Sequence, residues 1–362
     1  MSPQAEHRPR GPVEKNSLRV ALLGYGTAGA HFHAPLIDAV DGLVLAAVVT
    51  SNPARRDQVH RDHPEARVLA DAGEVWAARQ SYDLVVVATP NGTHVPLAKA
   101  AIEARLPVVV DKPLASGAAE ARALVRQAEA ARVPLTVYQN RRWDGDFRTM
   151  RRLLTAGAIG HPLRFESRFD RWRPTVATDA WKESAANAGG ILLDLGTHLV
   201  DQALVLFGPV RSVYAEIDAR RPGATVEDDV FLALTHASGV HSHLWASAVA
   251  GQLAPRFRLL GDAGAYVTWG MDPQEAALRA GRKPGSPNFG ERPAAEWGKV
   301  GAGDAARPFR TLSGEWTRFY EGVVDALTTG APMPVDPKDA VRVLSILDAA
   351  RRSASTRTVV DV

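Results

Sequence analysis

Asp194 and His198 stand four residues apart in an apolar stretch that includes Ile191, Leu192, Leu193, Leu195 and Leu199. On a helix that spacing puts carboxylate and imidazole on one face. A carboxylate beside an imidazole can raise its basicity and fix its tautomer. An unperturbed histidine pKa of about 6.5 already suits acid–base work near neutral pH. The alternative is a helix-surface pair worth roughly a few tenths of a kcal/mol. Lys112 is the second candidate: Asp111-Lys112-Pro113 follows the apolar run Val108-Val109-Val110. The proline ends the strand and leaves the lysine at its carboxyl end, where an α/β sheet exposes its ligand-facing loops. A solvated turn lysine is the competing reading.

A third segment could hold a dinucleotide. Residues 24–29 read Gly-Tyr-Gly-Thr-Ala-Gly directly after the apolar run 18–23. That is a strand entering a glycine turn that opens a helix. Gly24 allows the tight turn, Gly26 lets the backbone approach a pyrophosphate, and Gly29 lets helix and strand pack closely. Tyr25, Thr27 and Ala28 complete the turn, and a helix N-terminus favours the phosphate charge. A structural turn of some other βαβ protein would look similar. The next strand ends at Thr50-Ser51-Asn52 with no acid for a ribose 2′-OH, and Arg55 and Arg56 follow within a turn. A hydroxyl and an arginine there can hold a 2′-phosphate, which favours NADP over NAD. The alternatives are arginines solvating a helix face and Ser51 or Asn52 serving as its N-cap. Residues 88–94, Ala-Thr-Pro-Asn-Gly-Thr-His, form another strand-end turn. Pro90 and Asn91 would line the nicotinamide side there, and Thr93 would cap the next helix.

These segments need elements to position them. Strands are expected at 18–23, 43–49, 68–69, 83–88, 107–110 and 135–138, with helices at about 28–40, 93–104 and 116–131 and another after Pro53. That alternation predicts a parallel, doubly wound sheet. Beyond it the pattern changes. Helices are expected at 145–156, 187–206, 314–328 and 337–353. Strands are expected at 161–169, 210–217, 230–235, 241–248, 257–260 and 266–269, closely spaced as in an open, mostly antiparallel sheet. The Gly- and Pro-rich stretch 272–308 reads as loops. The domain reading is a disordered tail 1–17, a dinucleotide-binding domain 18–139, and a substrate-binding and oligomerisation α/β domain 140–362. The C-terminal helices of the last are free to pack back on the first.

Composition bounds the rest. The chain has 362 residues, 46% of them hydrophobic and 23% charged, as in a soluble globular protein of about two domains. A formal net charge of +3, with scattered basic residues, gives no reason to expect a nucleic-acid partner. With no cysteine, thiolate catalysis and disulfides are excluded. Zinc is not expected either, because no third ligand stands at a suitable spacing. His241 and His243 share a strand face and His31 and His33 point apart; both pairs read as structural. No apolar run approaches a membrane span and the N-terminal stretch lacks a signal-peptide core, so a cytoplasmic protein is expected.

Taken together, the glycine turn, the 88–94 turn, Asp111-Lys112-Pro113 and Asp194-x-x-x-His198 resemble the Gfo/Idh/MocA oxidoreductase family, in order and approximate spacing, from Leu18 onward. Residues 24–37, with Phe32-His33-Ala34-Pro35-Leu36, and 140–144, Asn-Arg-Arg-Trp-Asp, are similar to the branch containing NADP-dependent scyllo-inositol dehydrogenases. The resemblance implies a Rossmann domain followed by an α/β domain with a large open sheet, and reversible oxidation of a secondary alcohol on a cyclitol or sugar. It implies that His198 is the acid/base, Asp194 its orienting or proton-linked partner, and Lys112 a ligand of the reacting hydroxyl and the nicotinamide ribose. It adds Thr89, His94, Asp111 and Asn140 to the cofactor set. It turns Arg141 to the substrate, with Trp143, Arg171 and Trp172 as further pocket candidates. Many relatives carry Glu where this chain has Asp111. A homodimer, or a dimer of dimers, covering the open sheet is the implied assembly. A dinucleotide-dependent sensor or scaffold, or an enzyme on another sugar-derived substrate, remains the alternative.

Overall fold

The computed structural model describes residues 17–177 and 181–362. The expected tail lies outside the described residues except for Ser17. Six strands form the first sheet: β1 (Leu18–Leu23), β2 (Leu43–Val49), β3 (Arg67–Leu69), β4 (Leu84–Val87), β5 (Val108–Asp111) and β6 (Leu135–Tyr138). All pair in parallel, in the order β3-β2-β1-β4-β5-β6. The central strands of such a sheet are buried on both faces, which is why β4 and the start of β5 read as unbroken Val and Leu runs rather than alternations. Val85, Val86, Val87, Val108, Val109 and Val110 have no exposed surface. The order reverses between β1 and β4, and the loops after these strands therefore flank the crevice where α/β sheets bind ligands.

Nine strands form the second sheet: β7 (Pro162–Asp170), β8 (Val210–Asp218), β9 (Asp229–His236), β10 (His241–Ser247), β11 (Phe257–Gly261), β12 (Ala265–Thr268), β13 (Lys299–Gly301), β14 (Arg307–Pro308) and β15 (Val360–Asp361). Their order is β14-β13-β12-β11-β7-β10-β9-β8-β15, antiparallel except where β10 runs parallel to β7. Here burial alternates along each strand, as on β9, because only one face meets the core. The helices Thr197–Phe207 and Pro337–Thr356 pack on that face. The other face carries part-exposed Tyr214, Phe231, His243 and Trp245.

The halves are joined by more than the chain. Helix Pro337–Thr356 also packs on helix Ala118–Ala131, where Asp348 accepts the Ala118 N–H at 2.8 Å. Helix Thr317–Thr329 brings Tyr320 to His33 in the first half, at 2.7 Å.

Three expectations change. The 272–308 stretch contains helix Pro273–Arg279 as well as β13 and β14; Asp272 caps that helix from its side chain, with Pro273 at the first turn. The 187–206 helix is broken. A 3-10 turn at Ala185–Asn187 and a π-helical turn at Leu192–Gly196 precede the regular helix. Finally, the stretch Ala185–Phe207 is long and apolar enough to pass for a membrane span, with mean hydropathy 1.4, yet 72% of that window is buried inside the protein.

Candidate functional site

The glycine turn has the shape a pyrophosphate needs. Gly24 sits at φ +96°, and a Cβ there would meet the Ala88 carbonyl oxygen at 2.6 Å. A Cβ on Gly29 would strike the Gly24 carbonyl oxygen at 2.1 Å. Gly26 differs: the nearest atom to its Cβ position is on the Arg55 guanidinium, 3.8 Å away, so that side is open. The helix that starts here has a π-helical first part, Gly29–His33. The first N–H groups of such a helix lack intrahelical acceptors, although Ala30 N–H already donates to the Gly26 carbonyl at 2.8 Å. Tyr25 does not join in with its side chain. Its ring is buried, its hydroxyl donates to Asp62 at 3.3 Å and its edge meets His63; only its main chain remains at the turn with Thr27 and Ala28. On the next loop Ser51, Asn52, Arg55 and Arg56 are exposed. The Asn52 side chain accepts the Arg55 N–H at 3.1 Å, so it caps helix Pro53–Asp62.

The 88–94 turn is tied inward. His94 is buried and its ring nitrogens lie 2.8 Å and 2.7 Å from the carbonyl oxygens of Thr89 and Pro113. Both nitrogens lie against carbonyl acceptors, so the ring sits between two loops and donates to one of them in its neutral form. Thr93 does not cap the helix through its side chain; its hydroxyl bonds Thr89 and the Pro90 carbonyl at 2.7 Å each. Asn91 donates to the Ala188 carbonyl at 2.9 Å, bridging to the segment before Asp194. Asn140 is buried at the start of a 3-10 turn, Asn140–Trp143.

Lys112 reaches from the end of β5 into the second half. Its Nζ lies 2.9 Å from Asp194 Oδ1 and 2.8 Å from the Asp194 carbonyl oxygen. Lys182 approaches the same Oδ1 at 2.6 Å. Behind Lys112, Asp111 accepts the Lys112 N–H at 2.8 Å and stands 3.9 Å from His33 Nε2. His198 follows Asp194 by one helical turn and is buried, and its Nδ1 has no hydrogen-bond partner.

The electrostatics follow from burial and these charges. Burial alone would raise the Asp194 carboxyl, but Lys112 and Lys182 hold it well below the usual carboxylate range. Burial lowers Lys112, Lys182 adds to that, and Asp194 pulls the other way. His198 is pushed well below an ordinary histidine, by burial first and then by Lys112 and Arg141, against Asp194. The expected rise in its basicity is therefore reversed. Asp194 is spent on two lysines and makes no hydrogen bond to His198, so the imidazole is neutral near pH 7.

The remaining pocket candidates separate. Arg141 is buried and held at 2.6 Å by Glu275 and 3.3 Å by Asp144, with its guanidinium over the Phe169 and Trp316 rings. Trp143 is part-buried and packs edge-on against Phe319, at the border of the core on one face of the first sheet. Trp172 is 60% exposed, so the structure gives it no enclosed pocket to line. Arg171 is part-buried, and Asp194 and Glu275 both act on it. Two contributors escape sequence reading. Lys182 carries no periodic or motif signal. Glu275 did have one, since Asp272-Pro273 is a helix-start signature that would have placed Glu275 in a first turn.

Comparison with known proteins adds an independent line. Residues 18–139 match the sequence profile of an oxidoreductase family with an NAD-binding Rossmann fold, and residues 147–267 match the Gfo/Idh/MocA C-terminal domain. The chain is 32% identical to a scyllo-inositol 2-dehydrogenase (NADP+) of Bacillus subtilis, over 97% of this chain and 98% of that one. It is 33% identical to a D-apiose dehydrogenase of Paraburkholderia graminis, over 65% of this chain and 63% of that one. An oxidoreductase structure from Bacillus subtilis superposes with a TM-score of 0.90 at 31% identity, covering 98% of this chain and all of that one.

Proposed function

The chain belongs to the Gfo/Idh/MocA family of NAD(P)-binding oxidoreductases, and on that premise we propose that it reversibly oxidises a secondary alcohol of a cyclitol or sugar, with NADP preferred over NAD. The observation that carries this reading is the convergence of Lys112, from the nucleotide-binding sheet, on Asp194, one turn before a buried neutral His198. The inositol and apiose dehydrogenases among its relatives support the substrate class.

A nicotinamide dinucleotide, when bound, supplies the hydride acceptor. The chain's own residues do the rest. Gly24, Gly26 and Gly29 leave room for the pyrophosphate, and the helix N-terminus faces it. Arg55, whose guanidinium lies beside the Gly26 opening, binds a 2′-phosphate together with the Ser51 hydroxyl. Lys112 donates to the reacting oxygen and steadies the charge that develops on it. His198, neutral at working pH, takes the hydroxyl proton in oxidation and returns it in reduction. Asp194 keeps Lys112 in place and balances its charge. We further read residues 18–139 and 140–362 as the nucleotide and substrate domains, and the open face carrying Phe231 and Trp245 as the contact of a cytoplasmic homodimer.

The test is nicotinamide reduction by the purified protein across a panel of inositols and aldoses, with NADP+ and with NAD+. Turnover should favour NADP+, and Arg55→Ala should raise the KM for NADP+ about tenfold while leaving that for NAD+ unchanged, the loss of one charge-assisted phosphate contact. A wild-type preference for NAD+ would refute the cofactor assignment.

A further inference from the structure

This inference rests on the dehydrogenase reading and concerns what the substrate carries. Arg171 extends the chain just past β7, and its main chain is fixed on both sides. Its N–H donates to the Ser247 carbonyl at 2.8 Å, and its carbonyl accepts the Ala250 N–H at 3.1 Å. In extended chain, side chains two apart share a face. Phe169 and Arg171 therefore point one way, and Trp172 the other, into solvent. The Phe169 ring lies 6.2 Å from the His198 ring. The face that Arg171 shares is thus the His198 side.

The more enclosed arginines are already matched. Among the buried ones, Arg141 meets Glu275 at 2.6 Å, Arg221 meets Asp228 at 2.8 Å and Arg292 meets Asp146 at 3.2 Å, and part-buried Arg142 meets Asp201 at 2.6 Å. Arg256 donates to Ser167 and Gln202 and lies over the Phe169 and Phe257 rings. The Arg171 guanidinium, by contrast, makes no hydrogen bond or ion pair among the described residues. The two acids that act on it are each held by two other cations, Asp194 by Lys112 and Lys182, Glu275 by Arg141 and Arg279. Burial lowers its pKa, and Arg173 and Arg141 add to that against the two acids. A part-buried cation on the His198 side, with no acid of its own and its nitrogens open to solvent, is placed to meet an incoming anion.

We propose that Arg171 binds an anionic oxygen group, a carboxylate or a phosphate, carried by the sugar or cyclitol substrate away from the carbon that is oxidised. The planar guanidinium fork fits either group with two parallel hydrogen bonds. A neutral polyol offers the same fork only hydroxyls. The site therefore selects acidic sugars over their neutral counterparts.

The experiment compares kcat/KM with NADP+ for glucuronate, a hexose phosphate, glucose and the inositols, in the wild type, Arg171→Gln and Arg171→Lys. The wild type should favour one of the anionic sugars over the neutral ones by about 10- to 100-fold, the reach of one charge-assisted pair; whichever anion wins names the group. Arg171→Gln should erase that preference and Arg171→Lys should keep part of it, with the KM for NADP+ unchanged in both. A wild-type preference for neutral substrates, or an anionic preference that survives Arg171→Gln, overturns the proposal and leaves the dehydrogenase reading standing. Tight NADPH binding with no turnover of any of these compounds rejects the dehydrogenase reading, and this proposal with it.

Discussion

The two sheets of this protein build their parts of the site from different materials. On the parallel sheet the nucleotide side is made of main chain, and Gly24, Gly26 and Gly29 matter for the atoms they lack. In the second half, on the turns and helices beside its sheet, the site is made of paired charge, most of it buried. Lys112 reaches across to Asp194, Lys182 grips the same oxygen, and Glu275 holds Arg141. A main-chain site fails when a Cβ is added. A charge site fails when one partner is removed, because the other is left buried and unpaired.

The contrast can be pressed hardest at Lys112. Lys112→Met should cut turnover by about 100- to 1,000-fold, the usual cost of deleting one donor aimed at a developing oxyanion. Lys182→Met should cost only a few-fold, because Lys182 is half exposed and Lys112 would still hold Asp194. Equal losses from the two, in steady-state kinetics, would show that the lysines are not distinguished by position.

Next come two glycines that look alike in sequence. Gly29→Ala forces a Cβ onto the Gly24 carbonyl oxygen and should lower the melting temperature of the protein without ligand. Gly26→Ala has space within the protein itself, so its melting temperature should hold while NADPH affinity drops about tenfold or more. Calorimetry and fluorescence titration on both variants would expose the opposite pattern if the turn were merely structural.

The smallest effect is in pH. His198 titrates well below an ordinary histidine when folded, mainly because it is buried. Above about pH 6.5 it is neutral in both folded and unfolded chains and contributes no slope. Below that, the unfolded chain takes up a proton that the folded protein refuses, so stability falls as pH falls. Denaturation midpoints between about pH 7 and 5 should therefore decline more steeply in the wild type than in His198→Asn. Matching slopes would mean that the imidazole is not desolvated.

Sequence alone made the first sheet readable because its strands are mostly apolar, Leu84–Val87 and Leu43–Val49 without a break, and its turn needs glycine at fixed places. The helix 273–279 was hidden by neighbouring glycines and prolines, although Asp272 and Pro273 marked its start. The Asp194–His198 spacing told that the two share a helix face, but not that Asp194 would be claimed by lysines 82 and 12 residues away. Burial by distant segments and long-range charges leave no local pattern, so the sign of the His198 shift could not be read from its own helix. Tyr25 and His94 carried the same limit: each sits inside a recognisable motif while its side chain points into the protein.

The proposed oxidation requires His198 to carry the proton. The direct test mixes His198→Asn with NADP+ and a turned-over alcohol, follows nicotinamide reduction and proton release together, and titrates NADPH separately. Reduction slowed by about 100-fold or more, with NADPH affinity unchanged, is the predicted result. Reduction and proton release at the wild-type rate would contradict it.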